Sequence, residues 1–187
     1  NRLLWFRGWL EARDEEEYLV RRAKARAYEM VHSTPVIREE ELISGIPCRR
    51  IFSREEREEL RFYEEHIAGS LPLTGGQHSH MAVDYPLLLE KGVSGVMERI
   101  KGLKQNLDLT DPEQLEKDEF YRAAFIVLEG LLAYADHYAE AAFHRAELVE
   151  SKVRKQELLE MGAVFRHVPK FPARTFREAL QSVHFLT

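Results

Sequence analysis

The run from Asp118 to Val149 restricts the folding of this chain more than any other stretch. Tyr121, Phe125, Leu128, Leu132, Ala135, Ala139 and Ala142 recur at helical spacing down one side, and Phe120, Val127, Leu131, Tyr134, Tyr138 and Phe143 add a second. A helix apolar over so much of its circumference needs neighbours on more than one side. The run therefore predicts a long helix inside a larger, mainly α body. It does not predict a membrane span, because Arg122, Glu129, Asp136 and Glu140 break it up.

Shorter helices are predicted around it. From Glu11, an acidic start followed by Arg and Lys, with Tyr18, Leu19, Ala23, Ala27 and Met30 in a stripe, predicts a helix that ends near Ser33 to Pro35. Val36 to Pro47 reads as a mixed stretch with Ile37, Leu42 and Ile43 as burial candidates, stopped by Gly45 and Pro47. Ser53 and Glu56 have capping-box spacing ahead of a helix with Leu60, Tyr63 and Ile67 inward. Asp84 can cap a helix that carries Pro86 in its first turn, with Leu88, Val93, Val96, Ile100 and Leu103 as its apolar positions, and Gly92 and Gly95 weaken its middle. Thr110 or Asp111 can cap ahead of Pro112. Val153 to His167 is a further helix, and beyond V-P-K-F-P a last one carries the stripe Phe176, Leu180, Val183 and Leu186. The chain stops inside what reads as a continuing element, so an incomplete portion of a larger protein is expected.

Charge narrows the partners. The 27 Lys and Arg are interspersed with 32 Asp and Glu, a net charge of -5. No broad electropositive footprint results, which argues against a nucleic-acid binder. Cys48, the only cysteine, rules out an intramolecular disulfide and a thiolate zinc site, and suits a reducing, cytoplasmic setting. Leu3 to Phe6 is too short for a signal peptide, and no membrane partner is expected.

One irregular segment, Ser70 to His80, is dense in chemical groups. Gly75 and Gly76 let its backbone approach another group closely. Read as a strand, His78, His80 and Asp84 share a face, and two imidazoles with a carboxylate suit zinc or iron, His32, Glu64 or His66 supplying a further ligand. The plainer readings are a solvent-exposed His78, a hydrogen-bonding His80 and an Asp84 that caps the next helix. Cys48 is a structural residue on the plain reading and a nucleophile only if a neighbour lowers its pKa. Arg21, Arg22 and Lys24 read as a solvated helix face.

Four segments together resemble the amino-terminal region of glycyl radical enzymes, the pyruvate formate-lyase-like family. These are RRAKA with TPVIREEELISG (Thr34 to Gly45), SHMAVDYPLLLEKGVSGV (Ser79 to Val96), KDEFYRAAFIVLEGLLAYADHYAEAA (Lys117 to Ala142) and VPKFPARTFREALQSVHFL (Val168 to Leu186). The last phrase is the most specific and resembles the dehydratase and lyase branch. The resemblance implies that residues 1–187 are an incomplete amino-terminal, helical part of a ten-stranded α/β barrel. The loops bearing the radical glycine and the catalytic cysteine would lie later in the chain, so no catalytic residue and no metal ligand is assigned here, and Cys48 takes neither role.

By the same resemblance, His80 matches the substrate-facing histidine of a G-H-x-x-x-D-Y phrase. Here Ser79 replaces the glycine, His78 is an added candidate for substrate binding, and Asp84 and Tyr85 support the loop. Gly45 to Gly76 departs from the family's usual longer, tryptophan-rich passage, and TGGQHSH is most similar to the hydroxyproline dehydratases. The implied activity is radical elimination of water or an amine from a small hydroxylated substrate, with trans-4-hydroxyproline the nearest match, in a cytoplasmic, anaerobic homodimer. A separate S-adenosylmethionine/[4Fe-4S] activating enzyme would install the glycyl radical. Two other classes stay open: a stand-alone helical interaction or regulatory module derived from such an enzyme, and a metal-dependent hydrolase using His78, His80 and Asp84.

Overall fold

The computed structural model describes residues 2–45, 51–67, 69 and 83–186. Seven helices run through them: α1 (Arg2–Glu11), α2 (Tyr18–His32), α3 (Arg54–His66), α4 (Tyr85–Lys104), α5 (Pro112–Leu148), α6 (Lys152–His167) and α7 (Phe176–Leu186). No strand occurs among the described residues.

The central helix is longer than expected. Asp111 accepts a hydrogen bond from the Glu113 amide and Pro112 follows as the first helical residue, so α5 starts six residues before Asp118. It packs on α2, α6 and α4. Ala123, Gly130, Leu131, Tyr134, Ala135, Tyr138, Ala139, Ala142 and Ala146 are buried along it, and small residues let α2 and α6 lie close. Phe120, assigned to its second apolar side, is 58% exposed among the described residues.

Two further expectations need correction at the amino terminus. The opening residues form a helix of their own, α1, which buries Leu3, Leu4, Phe6 and Trp9. The expected helix from Glu11 is broken, since α1 ends there and α2 begins at Tyr18. The acidic residues between them act as tethers. Glu15 pairs with Lys24 at 2.7 Å, while Glu17 takes the Arg122 guanidinium, which also reaches Asp118 at 2.7 Å. Arg21 lies 3.9 Å over the Trp9 ring and donates to the Trp9 carbonyl, so it docks α2 on α1 and is not simply a solvated charge.

The capping box on α3 forms as its spacing predicts, with Glu56 N donating to Ser53 Oγ at 3.2 Å and Ser53 N to Glu56 Oε2 at 3.0 Å. No residue of α3 is buried. It is held to α1 by Arg7–Glu59 and Arg2–Glu64 ion pairs and by Tyr63 against Phe6.

Half of the stripe expected on α7 faces outward, while Leu186 packs against the core and Val183 is half-buried. Phe176 is 79% and Leu180 42% exposed, whereas Glu178, Gln181, Ser182 and Phe185 are buried. Glu178 and Gln181 turn inward because each meets a backbone partner there.

Candidate functional site

Two stretches of chain converge on the α5–α7 core. The first is residues 36–45, which make no regular element and therefore need partners for their peptide groups. Side chains supply them. Arg145 donates to the Ile37 carbonyl. Arg154 donates to the carbonyls of Arg38 at 2.9 Å and Glu41 at 3.0 Å. Arg177 reaches the Leu42 carbonyl at 3.4 Å, and Val36 N points to the Tyr138 hydroxyl at 3.4 Å.

The grip is tightest at its end. Ser44 N donates to Gln181 Oε1 at 3.1 Å and Gln181 Nε2 donates to the Ser44 carbonyl at 2.6 Å, so one amide side chain holds both groups of one residue as a neighbouring strand would. Tyr134 donates to the Gly45 carbonyl at 2.9 Å. Burial, aided by the adjacent Tyr138, pushes the Tyr134 hydroxyl far above the ordinary phenol range and keeps it a neutral donor. Phe185 packs edge-on to Tyr134, Tyr138 and Phe165. Its ring lies 2.8 Å from where a Cβ on Gly45 would stand, and Gly45 has φ of 142°. Only glycine fits.

The second stretch begins at Val83. Asp84 accepts from the Leu87 amide at 3.1 Å and caps α4, with Pro86 in the first turn. Tyr85 and Leu88 belong to the same core cluster as Tyr134, Ile37 and Phe185. At Gly92 (φ 65°, ψ 172°) the helix breaks and restarts, in agreement with the weak middle predicted there. The first amides of the new half, Val93 N and Ser94 N, donate to the carbonyls of Pro169 at 2.8 Å and Lys170 at 3.0 Å. The V-P-K-F-P loop thus serves as a cap for a helix far away in sequence.

The phrase that follows is also a cap. Thr175 Oγ1 accepts from Glu178 N at 3.1 Å, and Glu178 accepts from Arg174 N at 2.6 Å and from the Arg174 guanidinium. Arg174 holds the buried Glu178 carboxyl below the ordinary carboxylate range against the opposing effect of burial.

Of the expected site residues, His78 and His80 lie outside the described residues, as does Cys48. Asp84 is the α4 cap and Tyr85 is the first residue of α4, so the extended reading of this run does not continue through Tyr85. The further ligands considered for a metal are engaged locally. His32 and His66 stack on Tyr28 and Phe62 and bond to the carbonyls of those residues, and Glu64 pairs with Arg2. Among the described residues no three His, Cys, Asp or Glu side chains are placed to hold a metal ion. No described helix is long and apolar enough to cross a membrane. An open depression of about 530 Å³ is lined by Glu113, Glu116, Lys117, Phe120 and Tyr121 on the first turns of α5. Its last lining residue, Tyr121, is well over 10 residues before Tyr134, roughly 20 Å along the helix.

Sequence reasoning missed Ser44, Tyr134, Arg145, Arg154 and Gln181 as a set. The available signal was Gln181 and Glu178 sitting in the one phrase singled out as specific.

Residues 49–187 match the family described as Pyruvate formate lyase-like. The isethionate sulfite-lyase of Bilophila wadsworthia is 36% identical over 103 residues, which are 54% of this chain and 12% of that protein, so the chain spans about an eighth of that relative's length. Among solved structures, the Roseburia inulinivorans protein studied for 1,2-propanediol dehydration superposes with a TM-score of 0.83 at 24% identity, covering 98% of this chain and 30% of that one. The hydroxyproline dehydratase of Clostridioides difficile gives 0.80 at 17%, with 98% and 30% covered. At such identities the two structures speak for the fold alone. With a mainly helical segment superposing over nearly its whole length and the family match spanning well over half of the residues, the chain belongs to the pyruvate formate lyase-like family.

Proposed function

We propose that residues 1–187 are the amino-terminal helical portion of a glycyl radical lyase or dehydratase, contributing one wall of the cavity for a small hydroxylated substrate. The observation that carries this reading is the family match over residues 49–187, joined by a relative that is itself a lyase. The fold supports it. Residues 36–45 and the start of α4 are fixed to one core, so the chain between them, which bears His78 and His80, leaves and returns at defined points.

The glycyl radical, installed by an activating enzyme that uses S-adenosylmethionine and a [4Fe-4S] cluster, supplies hydrogen abstraction when formed; its glycine and the catalytic cysteine lie beyond these residues. What this chain's residues do is bind and orient. His80 contacts the substrate hydroxyl region and holds or gives the proton that accompanies the leaving group, a task suited to an imidazole near neutrality. His78 narrows the choice of substrate, and Asp84 and Tyr85 fix the end of the loop. The remainder of the chain completes the barrel, in a cytoplasmic homodimer. The leaving group is hydroxide or an amine. The TGGQHSH motif favours trans-4-hydroxyproline, whereas the Bilophila wadsworthia relative brings isethionate in as a second candidate.

The test uses the full-length protein, activated anaerobically and offered trans-4-hydroxy-L-proline, 1,2-propanediol and isethionate. Formation of a glycyl radical by electron paramagnetic resonance, with turnover of one of these, is expected. His80→Ala should keep the radical and lower kcat by roughly 100-fold or more, the usual scale for a positioned acid. A protein that forms no radical, or a His80→Ala variant with unchanged turnover, overturns the reading.

A further inference from the structure

In an unbroken α-helix the Val93 amide would donate to the Leu89 carbonyl and the Ser94 amide to that of Glu90. At the Gly92 break both amides go elsewhere. Val93 N donates to the Pro169 carbonyl at 2.8 Å and Ser94 N to the Lys170 carbonyl at 3.0 Å, while the Leu89 carbonyl accepts from Ala173 N at 3.3 Å. The loop has therefore taken both partners of one helical hydrogen bond, which a simple cap does not do. Rejoining Val93 to Leu89 requires only that the two halves of α4 come into line. Gly92 allows this, because glycine enters the helical region as readily as the φ of 65° it has here.

The two sides of the break are held unequally. Tyr85 and Leu88, ahead of it, sit in the core cluster with Tyr134 and Phe185. Val168 and Pro169, the stem of the loop, are buried as well. Between Val93 and Lys104, by contrast, only Val93 and Ile100 are buried. The far end of that half is tied to α5 by a Lys104–Asp118 ion pair at 2.9 Å, and Lys101 Nζ lies 5.6 Å from the centre of the Phe125 ring. A pair whose lysine is partly exposed restrains weakly. The first half and the loop stem are the fixed parts, and the second half is the arm that can swing.

We infer that α4 is a two-position element. In the docked position its second half is seated on the 169–173 loop and the helix is broken at Gly92. In the released position the Val93-to-Leu89 hydrogen bond is closed and a continuous helix turns away from the loop. The inference goes beyond the proposed function and stands whatever reaction the protein runs. Three loop hydrogen bonds are exchanged for two helical ones, a nearly even trade, so the burial of Val93 and Ile100 makes the docked position the major one. The glycine is the hinge.

The test uses unactivated full-length protein with trifluoromethylphenylalanine in place of Phe125, whose ring meets Lys101 of the arm. Fluorine magnetic resonance should show a major and a minor signal. Gly92→Ala should reverse their order, because its methyl group would meet the backbone of Lys170 and Phe171 in the docked position, whereas alanine is at ease in a continuous helix. In the same variant deuterium uptake should rise in peptides covering 168–176 and stay at the wild-type level over 89–96, where the helical hydrogen bonds have closed. Ala173→Pro removes the loop's donor to Leu89 and leaves Gly92 in place. It should enlarge the minor signal roughly 2- to 10-fold, the worth of one hydrogen bond.

A Gly92→Ala protein that keeps the wild-type fluorine spectrum overturns the inference. So does one whose uptake rises over 89–96 together with 168–176, since that is plain local unfolding. Should Gly92→Ala fail to fold, an Ala173→Pro spectrum identical to wild type overturns it alone.

Discussion

The carbonyl oxygen of Lys170 lies 2.5 Å from the point where a Cβ on Gly92 would stand, so the break in α4 and the loop that caps it occupy one another's space. The carbonyl carbon and Cα of Phe171 are 2.6 and 2.8 Å from that point. All three are backbone atoms and cannot swing away. Gly92 also has φ of 65°, which a side chain disfavours. Gly92→Ala should lower stability by about 2–4 kcal/mol in chemical denaturation, through overpacking and loss of the loop cap together. A loss within 0.5 kcal/mol would mean that loop and helix separate easily.

The α1–α3 contact should be strongest between mildly acidic and mildly alkaline pH. Arg7 donates to Glu59 at 2.6 and 2.9 Å, and Tyr63 donates to the same carboxylate at 2.7 Å. The Arg7 hydrogen bond holds Glu59 below the usual carboxylate range despite some burial. Its contribution is therefore present above the unfolded value of about 4.3 and fades as pH falls through the lower folded value. Burial and the Glu59 carboxylate push Tyr63 up to about 12. That contribution is complete below the unfolded phenol value of about 10 and disappears as pH rises through the folded one. The ion pair is partly solvated, and an Arg7→Ala, Glu59→Ala double-mutant cycle should give a coupling of about 0.5–1 kcal/mol at pH 7. The coupling should shrink as pH is lowered below the unfolded carboxylate value, and a pH-independent value would contradict this account.

At the start of α7, Glu178→Ala should cost about 1–3 kcal/mol, because it leaves the Arg174 amide without its acceptor. Glu178→Gln keeps an acceptor and should cost less. Equal losses in thermal unfolding would show that charge pairing with Arg174 dominates instead.

Elements governed by local rules were legible in the sequence. The Ser53 and Glu56 capping box, Asp111 with Pro112, the Asp84 cap and the weak point at Gly92 each depend on residues a few places apart. The break between Glu11 and Tyr18 was not legible, because Glu17 is drawn to Arg122, 105 residues away. The inward face of α7 was legible only in part, at Leu186, for a related reason. A hydrophobicity stripe assigns Phe176 and Leu180 to the interior, while Glu178 and Gln181 go inside to meet backbone groups of Arg174 and Ser44 that no periodicity reveals. The histidines of the proposed site stand on the sequence and the resemblance.

Ser44 and Gly45 are gripped at one end, Asp84 caps α4 at the other, and α3 between them is tied to α1. Lengthening such a connection adds closure entropy only logarithmically, about 0.6 kcal/mol per doubling. An insertion between those anchors should therefore cost the fold little.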